Sequence, residues 1–371
     1  MKIGITGQDG FVGYHLSQTI KYKFENYKLV PFERPFLENK KLLESFISSC
    51  DVIVHLAGVN RANSNEEVYS SNIEINNSFR EALINTSFKG HLIFASSFQE
   101  DSESLYGKAK KESRLFLEQT ISELGGKFTG LIIPNVFGPF CKPNYNSFVA
   151  TFCSKILIDQ TPEILNDSNV PLVYIESLVQ QIVKNIELKN ELKLINISSD
   201  IEIKVSEVLR ILKYFKDSYL IDNTLPLFNN SFELNLFNTF RGYINLEKTF
   251  PIYLKKESDE RGFFSEIIRS EIGGQFSFST TLPGITRGNH FHTRKIERFT
   301  VLKGKAKISL RKIGNDKIYK FLLNGDQPGF IDMPIWYTHN ITNIGSEPLI
   351  TSFWINEPYD PQDTDTYFEN V

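Results

Sequence analysis

The sequence predicts two folds in series: an α/β doubly wound parallel sheet, followed by an all-β barrel. Three observations support this prediction. A short apolar run, Met1 to Ile5, leads into glycines at positions 7, 10 and 13 and then into a helical pattern. Buried-strand runs then alternate with helical patterns, which is typical of βα units. After Phe250, alternating β-prone runs and Gly or Asn turns replace that alternation.

The length and composition are those of a globular chain with two domains. A length of 371 residues exceeds one typical domain, and 41% hydrophobic with 13% aromatic residues suffice for sizeable cores. The pattern is helical from Lys204 to Phe228, whereas little periodicity is visible from Asn229 to Tyr243. We therefore place the domain boundary at residue 245, which gives domains 1–245 and 246–371.

Charge and cysteine content exclude several classes of protein. The net charge of −3 leaves no basic surface for nucleic acid. An odd number of cysteines without a CxxC pair is typical of reduced cytosolic thiols. No apolar run approaches the ~20 residues of a membrane span, and the chain starts in a strand-like run without a signal peptide. We expect an enzyme that acts on soluble compounds in the cytoplasm, without membrane insertion.

The glycine-rich stretch Thr6 to Gly13 is typical of a dinucleotide-binding turn. Glycine permits a tight turn, lets the backbone approach a pyrophosphate and lets the helix pack closely on the strand. The N-terminus of the following helix would face the phosphates with its partial positive charge. The GxxGxxG spacing resembles the short-chain dehydrogenase/reductase superfamily, in its extended nucleotide-sugar branch with a Rossmann-type sheet. The resemblance implies cofactor contacts from Gly7, Gln8, Gly10, Phe11 and Val12.

Two further segments bear on the cofactor. The second strand, expected over 28–32, ends in Glu33-Arg34. An acidic residue there binds the ribose 2′-hydroxyl of NAD, and a basic one accommodates the 2′-phosphate of NADP, so Arg34 favours NADPH. The segment His55 to Gly58 resembles the superfamily's element beside adenine and ribose. The resemblance implies contacts from Leu56, Ala57 and Gly58, and we interpret His55 as a packed strand-end residue, not a catalyst.

A serine, a tyrosine and a lysine make up the expected reductase site. Ser97 ends the strand predicted from His91, and Tyr106 and Lys110 share a helix face as an i, i+4 pair. A carbonyl that receives hydride becomes an alkoxide and needs a proton, which a tyrosine tuned by a nearby ammonium can supply. The Ser97 hydroxyl can hydrogen-bond the substrate oxygen as charge develops. The set resembles the catalytic residues of the reductases, and Tyr106 and Lys110 would also contact the cofactor.

Three of the six histidines lie in two short segments of the second domain. Neutral imidazole and carboxylate suit Zn, Fe, Mn or Ni, and two histidines one residue apart point to the same face of a strand. The spacing resembles the two motifs of cupin barrels. It implies one divalent ion, most simply zinc, on His290, His292, Glu297 and His339. A cupin whose histidines only hydrogen-bond in the pocket is the alternative. Where the family usually has Gly, two residues after Pro334, this chain has Trp336, which we expect at the pocket rim.

Longer stretches extend the resemblance. Asp259 to Glu266 and Arg287 to His290 resemble segments of the sugar-nucleotide epimerases of the dTDP-4-dehydrorhamnose type. The domain order, with the stretches HLAGVNR, KPNYNS and YTHNI, resembles the bifunctional capsular-polysaccharide enzymes of the CapF, or WbjC, type over essentially the whole chain. This implies a route to UDP-N-acetyl-L-fucosamine. The cupin domain would epimerise C3 of a UDP-2-acetamido-2,6-dideoxy-4-hexulose, and the other domain would reduce C4 with NADPH to UDP-2-acetamido-2,6-dideoxy-L-talose.

The sequence leaves several alternatives open. A 4-ketone makes the C3 proton acidic, but the base that removes it is unassigned among the neighbours Lys295, Arg298 and Tyr337. A mono-functional reductase with a non-catalytic cupin, used for docking subunits or sensing sugar, is the second reading. A nucleotide-sensing regulator is the third, and the presence of Tyr106 and Lys110 disfavours it. Exposed barrel edges and the acidic, polar segment 361–367 further predict a homodimer.

Overall fold

The computed structural model describes residues 1–187, 193–260 and 262–371. Contacts divide them into two compact units, residues 1–151 with 164–206, and residues 152–163 with 207–371. This division groups residues 207–245 with the barrel strands, and the sequence boundary expected after residue 245 stays a prediction. Arg261, in the segment that resembles the epimerases, lies outside the described residues.

The first unit is built on a parallel sheet flanked by helices. The strands of this unit are β1 (Lys2–Thr6), β2 (Lys28–Val30), β3 (Val52–His55), β4 (His91–Ser97), β5 (Lys127–Ile133), β6 (Asn135–Phe137), β7 (Asn169–Tyr174), β8 (Lys193–Asn196) and β9 (Ile201–Lys204). The main sheet has the order β2-β1-β3-β4-β5-β8 and is parallel throughout. A smaller sheet has the order β6-β7-β9. Every residue of β3 and β4 is buried, as expected for strands covered on both faces.

The described residues form nine α-helices, and several of them begin at side-chain caps that the sequence provides. They are α1 (Phe11–Lys23), α2 (Lys40–Ser48), α3 (Asn65–Asn85), α4 (Leu105–Leu124), α5 (Phe148–Leu157), α6 (Ile175–Glu187), α7 (Val205–Phe215), α8 (Ser231–Arg241) and α9 (Leu246–Thr249). Asn39, Ser64 and Ser104 accept backbone N–H bonds at the starts of α2, α3 and α4. Gly125 ends α4 in the left-handed conformation, with φ 71°.

The second unit contains the β-barrel. The strands of this unit are β10 (Thr224–Leu225), β11 (Ile252–Tyr253), β12 (Glu257–Asp259), β13 (Gly262–Phe264), β14 (Arg269–Ser270), β15 (Gln275–Thr281), β16 (Thr286–Phe291), β17 (Glu297–Lys303), β18 (Lys305–Lys312), β19 (Ile318–Asn324), β20 (Gly329–Met333), β21 (Tyr337–Asn343), β22 (Leu349–Ile355) and β23 (Tyr367–Phe368). Two antiparallel five-stranded sheets have the orders β11-β20-β17-β22-β15 and β19-β18-β21-β16-β23. The fold class predicted from the sequence, a doubly wound α/β sheet followed by an all-β barrel, is confirmed.

Helix α8 lies in the stretch for which the sequence shows little periodicity. Seven of its eleven residues are buried, among them Phe232, Leu236 and Arg241. A helix buried on most sides has no polar face, so the period of 3.6 residues does not appear in its sequence. The helix start is nevertheless encoded locally, because the Asn230 side chain accepts a hydrogen bond of 2.9 Å from the Glu233 N–H.

A buried ion pair joins the helical part of the second unit to its barrel. Arg298 on β17 and Asp332 on β20 make two bonds of 2.7 and 2.8 Å, and both side chains are almost fully buried. The Tyr219 hydroxyl donates to the same carboxylate at 2.5 Å. The Arg298 guanidinium also lies over the Phe330 ring, 3.6 Å from its centroid. Arg298 is therefore held on the face of β17 opposite to that of its neighbour Glu297.

Candidate active sites

The expected cofactor segments meet at one edge of the parallel sheet. Thr6, the last residue of β1, pairs with His55 of β3, which in turn pairs with Phe94 of β4. The glycine-rich loop, the segment 56–58 and Ser97 all follow these neighbouring strands. They lie beyond the carboxyl ends, where open α/β sheets bind ligands.

The glycine-rich loop is packed too tightly for side chains at two positions. Gly7 has φ 71°, and a Cβ there would lie 3.1 Å from the Ala57 nitrogen. A Cβ at Gly13 would lie 2.2 Å from the Gly7 oxygen, so helix α1 rests directly on the loop. The Gln8 side-chain amide donates to the Phe32 oxygen just beyond β2. The loop therefore contacts both other segments expected at the cofactor, and Gly10, Phe11 and Val12 form the start of α1.

His55 is a structural residue beside this loop. Its ring is fully buried, with Nδ1 2.6 Å from Thr6 Oγ1 and Nε2 3.0 Å from Asn76 Oδ1. Burial lowers the pKa of His55 to about 3, so the imidazole is neutral. The Thr6 hydroxyl also accepts bonds of 3.2 Å from the Leu56 and Ala57 N–H groups. These contacts fix the backbone of the segment that is expected beside adenine and ribose.

The expected reductase residues lie on β4 and α4. Ser97 ends β4, Tyr106 lies in the first turn of α4, and Lys110 follows one turn later. The Lys110 ammonium is 4.8 Å from the Phe94 ring centroid and 3.8 Å from the position that a Cβ on Gly58 would occupy. Lys110 therefore extends from its helix to the cofactor segment 56–58.

Burial shifts the pKa values of Lys110 and Tyr106 in opposite directions. Burial lowers the pKa of Lys110 to about 8, against the influence of the Glu100 carboxylate, which raises it. Burial and the neighbouring Tyr145 raise the pKa of Tyr106 to about 12. The Tyr106 phenol is therefore protonated and can donate a proton. The Ser97 oxygen accepts from the Gln99 N–H at 3.2 Å, which leaves the hydroxyl hydrogen to donate.

The sequence analysis missed a buried ion pair that supports this trio. Glu100 follows Ser97 by three residues, and its carboxylate makes three bonds of 2.9–3.0 Å to Arg114, which lies one turn beyond Lys110 on α4. Both side chains are more than 90% buried. The Ser96 hydroxyl donates to the same carboxylate. The ion pair thus joins the segment after β4 to the helix that carries Tyr106. In the sequence, the one signal for this pair was the spacing of four residues from Lys110 to Arg114.

The four expected metal ligands converge inside the barrel. One ligand atom from each lies within 4.8 Å of all the others, in the set His290, His292, Glu297 and His339. Glu297 Oε2 is 3.2 Å from His292 Nε2 and 2.9 Å from His339 Nε2. His339 Nε2 is buried yet has no hydrogen bond, although it is this close to a carboxylate. Three imidazoles and one carboxylate with an unused lone pair fit a divalent ion such as zinc.

The pKa shifts of His290 and Glu297 fit a ligand set, whereas, against the effect of burial, hydrogen bonding to Glu297 raises the pKa of His292. Burial lowers the pKa of His290 to about 4, so this imidazole is neutral. Burial alone would raise the pKa of Glu297, but the neighbouring imidazoles of His292 and His339 hold it below its usual range. Neutral histidine and ionised carboxylate are the forms that bind metals.

Three strands place these ligands, and one of the strands is irregular. Strand β16 is irregular between Gly288 and His290, where Asn289 has φ 61°. His292 lies just beyond the end of β16, whereas His339 lies within β21 and pairs with His290. Glu297 is the first residue of β17.

Trp336 does not lie at the pocket rim, and that expectation was wrong. Trp336 adopts φ 63°, the left-handed conformation that Gly takes without strain and that costs a bulky residue about 1–2 kcal/mol. Its ring is buried and stacks on Phe291, with centroids 5.5 Å apart. Phe291 directly follows His290 in β16, and so its side chain points to the opposite face of the sheet. The Trp336 ring therefore packs on the face of β16 opposite His290, where burial of the ring offsets the backbone strain.

The three neighbours considered as the epimerase base differ in their surroundings. Arg298 is held by Asp332 and cannot accept a proton. The Lys295 ammonium is buried, 3.6 Å from Glu357. Tyr337 precedes His339 by two residues on β21 and so shares its face, and burial raises the pKa of its phenol above the usual range. Of the three, Tyr337 has the side chain on the ligand face.

Comparison with known proteins agrees with both halves of this architecture. Residues 3–198 match the family described as NAD dependent epimerase/dehydratase, and residues 257–367 match the polysaccharide biosynthesis C-terminal domain. Among the described residues, no helix is long and apolar enough to cross a membrane.

Individual relatives extend this similarity over the whole chain. A Pseudomonas aeruginosa protein named UDP-2-acetamido-2,6-beta-L-arabino-hexul-4-ose reductase is 34% identical over 99% of this chain and 98% of its own. The crystal structure of the capsular polysaccharide assembling protein CapF from Staphylococcus aureus has a TM-score of 0.63 and 33% identity, and covers all of both chains. The spore coat polysaccharide biosynthesis protein SpsL of Bacillus subtilis is 27% identical over 30% of this chain and 81% of its own.

Proposed function

Because the chain belongs to the NAD dependent epimerase/dehydratase family, we propose that it is a bifunctional nucleotide-sugar enzyme of capsular polysaccharide synthesis. Its cupin epimerises C3 of UDP-2-acetamido-2,6-dideoxy-4-hexulose. Its first domain reduces C4 with NADPH and forms UDP-2-acetamido-2,6-dideoxy-L-talose, on a route to UDP-N-acetyl-L-fucosamine. The observation that carries the proposal is the presence of two separately built sites in one chain. The name of the Pseudomonas aeruginosa relative supports reduction at C4.

In the reduction, bound NADPH supplies the hydride, and the residues of this chain handle the oxygen. The Tyr106 phenol, protonated because its pKa is about 12, donates its proton to O4. Lys110 stabilises the phenolate left behind, since its ammonium lies one turn along the same helix. The Ser97 hydroxyl donates to O4 as negative charge develops on it. The reduction removes the carbonyl that acidifies C3, and so it fixes the new stereocentre.

Cofactor choice follows from the residues after β2. Arg34 begins an exposed 3₁₀ segment, Arg34–Glu38, and Glu33 next to it is exposed as well. An exposed guanidinium beyond the second strand suits the 2′-phosphate of NADPH. We propose NADPH on this basis, with Glu33 as the residue that would otherwise select NADH.

In the epimerisation, four barrel residues would bind the ion, and another would return a proton to the sugar. A divalent ion on His290, His292, Glu297 and His339 would stabilise negative charge on an enolate as a Lewis acid, or hold the barrel together. The Tyr337 phenol shares the face of His339 and stays protonated, because its pKa is raised. It is therefore suited to return a proton to C3 after a separate base has removed the original one, and not to act as that base.

We also propose that the chain is a homodimer. Strand β15 is an edge of its sheet, and Phe276 and Phe278 on its outer face are 53% and 73% exposed. An exposed apolar edge strand is a surface that soluble proteins usually cover. A second copy related by a two-fold axis would cover it in the commonest symmetry of oligomers.

Incubation of the protein with the 4-keto sugar in D₂O, with and without NADPH, separates the two activities. Deuterium at C3 without NADPH reports the cupin reaction, and NADPH oxidation reports the reductase. Tyr106→Phe should abolish NADPH oxidation and leave exchange at C3 intact, because the two sites are built from different parts of the chain. Substantial reduction by this variant would remove Tyr106 from the acid role. Reduction without any exchange at C3 in the parent would favour the mono-functional reading.

The metal is tested by elemental analysis. Protein purified without added metal should contain close to one zinc per chain. His292→Ala should lose the ion and the exchange at C3, while NADPH binding survives. Less than about a tenth of an ion per chain, with C3 exchange intact, would contradict the metal assignment and return His290 to the role of general base.

A further inference from the structure

Residues 363–370, here named the closing segment, pack along β16 and the turn that follows it, which together carry His290 and His292. Strand β23 pairs antiparallel with β16, with Phe368 opposite His290 and Tyr367 opposite Phe291. The Tyr367 ring stacks on Phe291 with centroids 5.3 Å apart. The Glu369 N–H donates to the Asn289 oxygen at 3.0 Å. The closing segment is thus a further strand of the barrel sheet.

Asp365 binds the turn between His292 and Glu297 through its carboxylate. Backbone N–H groups of Thr293, Arg294 and Lys295 donate to it at 2.9–3.2 Å, and the Thr293 hydroxyl donates at 2.6 Å. The residue is 3% exposed and adopts φ 43°. A buried carboxylate with this many N–H and O–H donors is firmly held, so the position of its own backbone is fixed as well.

The backbone carbonyl of the same residue contacts a metal ligand. His292 Nδ1 lies 2.7 Å from the Asp365 oxygen, and this contact is buried. A carbonyl oxygen can only accept, so Nδ1 carries a hydrogen and donates it to Asp365. Nε2 is then the nitrogen left to bind an ion, and this atom lies 3.2 Å from Glu297 Oε2 in the ligand cluster.

The Nδ1 atom of a second ligand, His339, also contacts a backbone carbonyl, but one that is close in sequence. His339 Nδ1 is 3.1 Å from the oxygen of Tyr337, two residues away on its own strand. The partner of His292 is instead 73 residues away in the chain. The orientation of His292 therefore depends on a remote segment, whereas β21 itself provides the partner of His339.

We propose that Asp365 is a positioning residue of the metal site. Its carbonyl keeps the His292 hydrogen on Nδ1 and turns Nε2 towards the ion, and its carboxylate holds that carbonyl in place. The proposal rests on the divalent-ion site put forward above. Residues that orient metal-bound histidines in this way typically change metal affinity by about 10–100-fold when they are substituted.

The experiment compares Asp365→Ala with Asp363→Ala in the full chain. Asp363 lies in the same segment, and its carboxylate binds the Arg294 side chain at 3.0 Å. Metal-free protein is titrated with Zn²⁺ against a chromophoric chelator, and with Co²⁺ to record the visible absorption bands. We expect Asp365→Ala to bind Zn²⁺ about 10–100-fold more weakly and to show altered Co²⁺ bands. Asp363→Ala should match the parent in both readouts.

Asp365→Asn keeps one side-chain oxygen for the turn and should restore much of the affinity. It also replaces Asp365→Ala if that variant does not fold, as judged by thermal unfolding of the metal-free protein. A purely structural role would lower the unfolding temperature and leave the Co²⁺ bands of the folded protein unchanged. Zn²⁺ affinity within about twofold of the parent, with unchanged bands, would overturn the positioning role. If the parent itself binds neither ion, the metal assignment fails and this inference fails with it.

Discussion

Substitution of Gly13 by Ala tests the cofactor loop, because the structure leaves no room for a methyl group there. The new Cβ would lie 2.2 Å from the Gly7 oxygen and 2.6 Å from the Gln8 Cα, and both are backbone atoms. Normal non-bonded separations are about 3.5 Å, so the loop and α1 would have to separate by roughly 1.3 Å. Gly125→Ala is the matched control. No atom lies within 4 Å of the added Cβ, so there is no clash, but the residue also has a positive φ, of 71°.

The two substitutions should cost similar stability for different reasons. Overpacking costs about 1–3 kcal/mol, and a backbone clash in a tight turn belongs near the upper end of that range. Replacing Gly by Ala within α1 returns about 1 kcal/mol of helix propensity, which leaves a net loss of about 2 kcal/mol. Gly125→Ala should lose about 1–2 kcal/mol from the left-handed conformation alone. Only Gly13→Ala displaces the loop on which NADPH is expected to bind.

The assay pairs urea unfolding with NADPH titration by fluorescence, at a temperature where each variant is folded. We expect NADPH binding at least about tenfold weaker in Gly13→Ala, since a shift of about 1.3 Å removes backbone contacts worth more than 1.4 kcal/mol. Gly125→Ala should bind NADPH as the parent does. Parent-like stability and NADPH affinity in Gly13→Ala would refute the reasoning. Equal loss of affinity in both variants would assign the effect to general destabilisation.

Three further predictions concern cofactor choice, pH and assembly. Arg34→Ala should weaken NADPH far more than NADH in equilibrium titrations, and equal effects would mean that Glu33 or another group sets selectivity. Glu100→Gln removes a charge that raises the pKa of Lys110, which is about 8. The ammonium should then be lost at lower pH, so the alkaline fall of the reduction rate should move to lower pH. A rate profile like the parent's would exclude this role for Glu100. Light scattering at micromolar concentration should give the mass of a dimer, and a monomer would contradict the expected assembly.

The sequence was most informative where a pattern is local. The strand predicted from His91 to Ser97 has those bounds in the structure. The spacing of His290, His292 and Glu297 predicted a cluster that the fold brings together with His339, although binding of an ion stays a prediction. Local spacing sufficed because strand alternation and barrel closure place such residues without further information.

The features that the sequence did not reveal depend on contacts between distant segments. Glu100 and Arg114 are ordinary helix-compatible residues until folding buries them against each other. The position of Trp336 depends on Phe291, whose ring stacks with both Trp336 and Tyr367. Helix α8 gave no periodic signal because its burial is nearly uniform. For Trp336, the determining partners lie outside any window in which periodicity is visible.

The closing segment is synthesised after the strands that carry the expected ligands, and this affects when the barrel can bind an ion correctly. Asp365 follows His292 by 73 residues, so the ligand strand leaves the ribosome before the residue that orients it. Until β23 forms, β16 is an open edge that can pair with another nascent chain. An ion that arrived this early would meet a His292 ring able to present either nitrogen. If the barrel binds an ion as proposed, binding is therefore expected late, after the first unit has had time to fold.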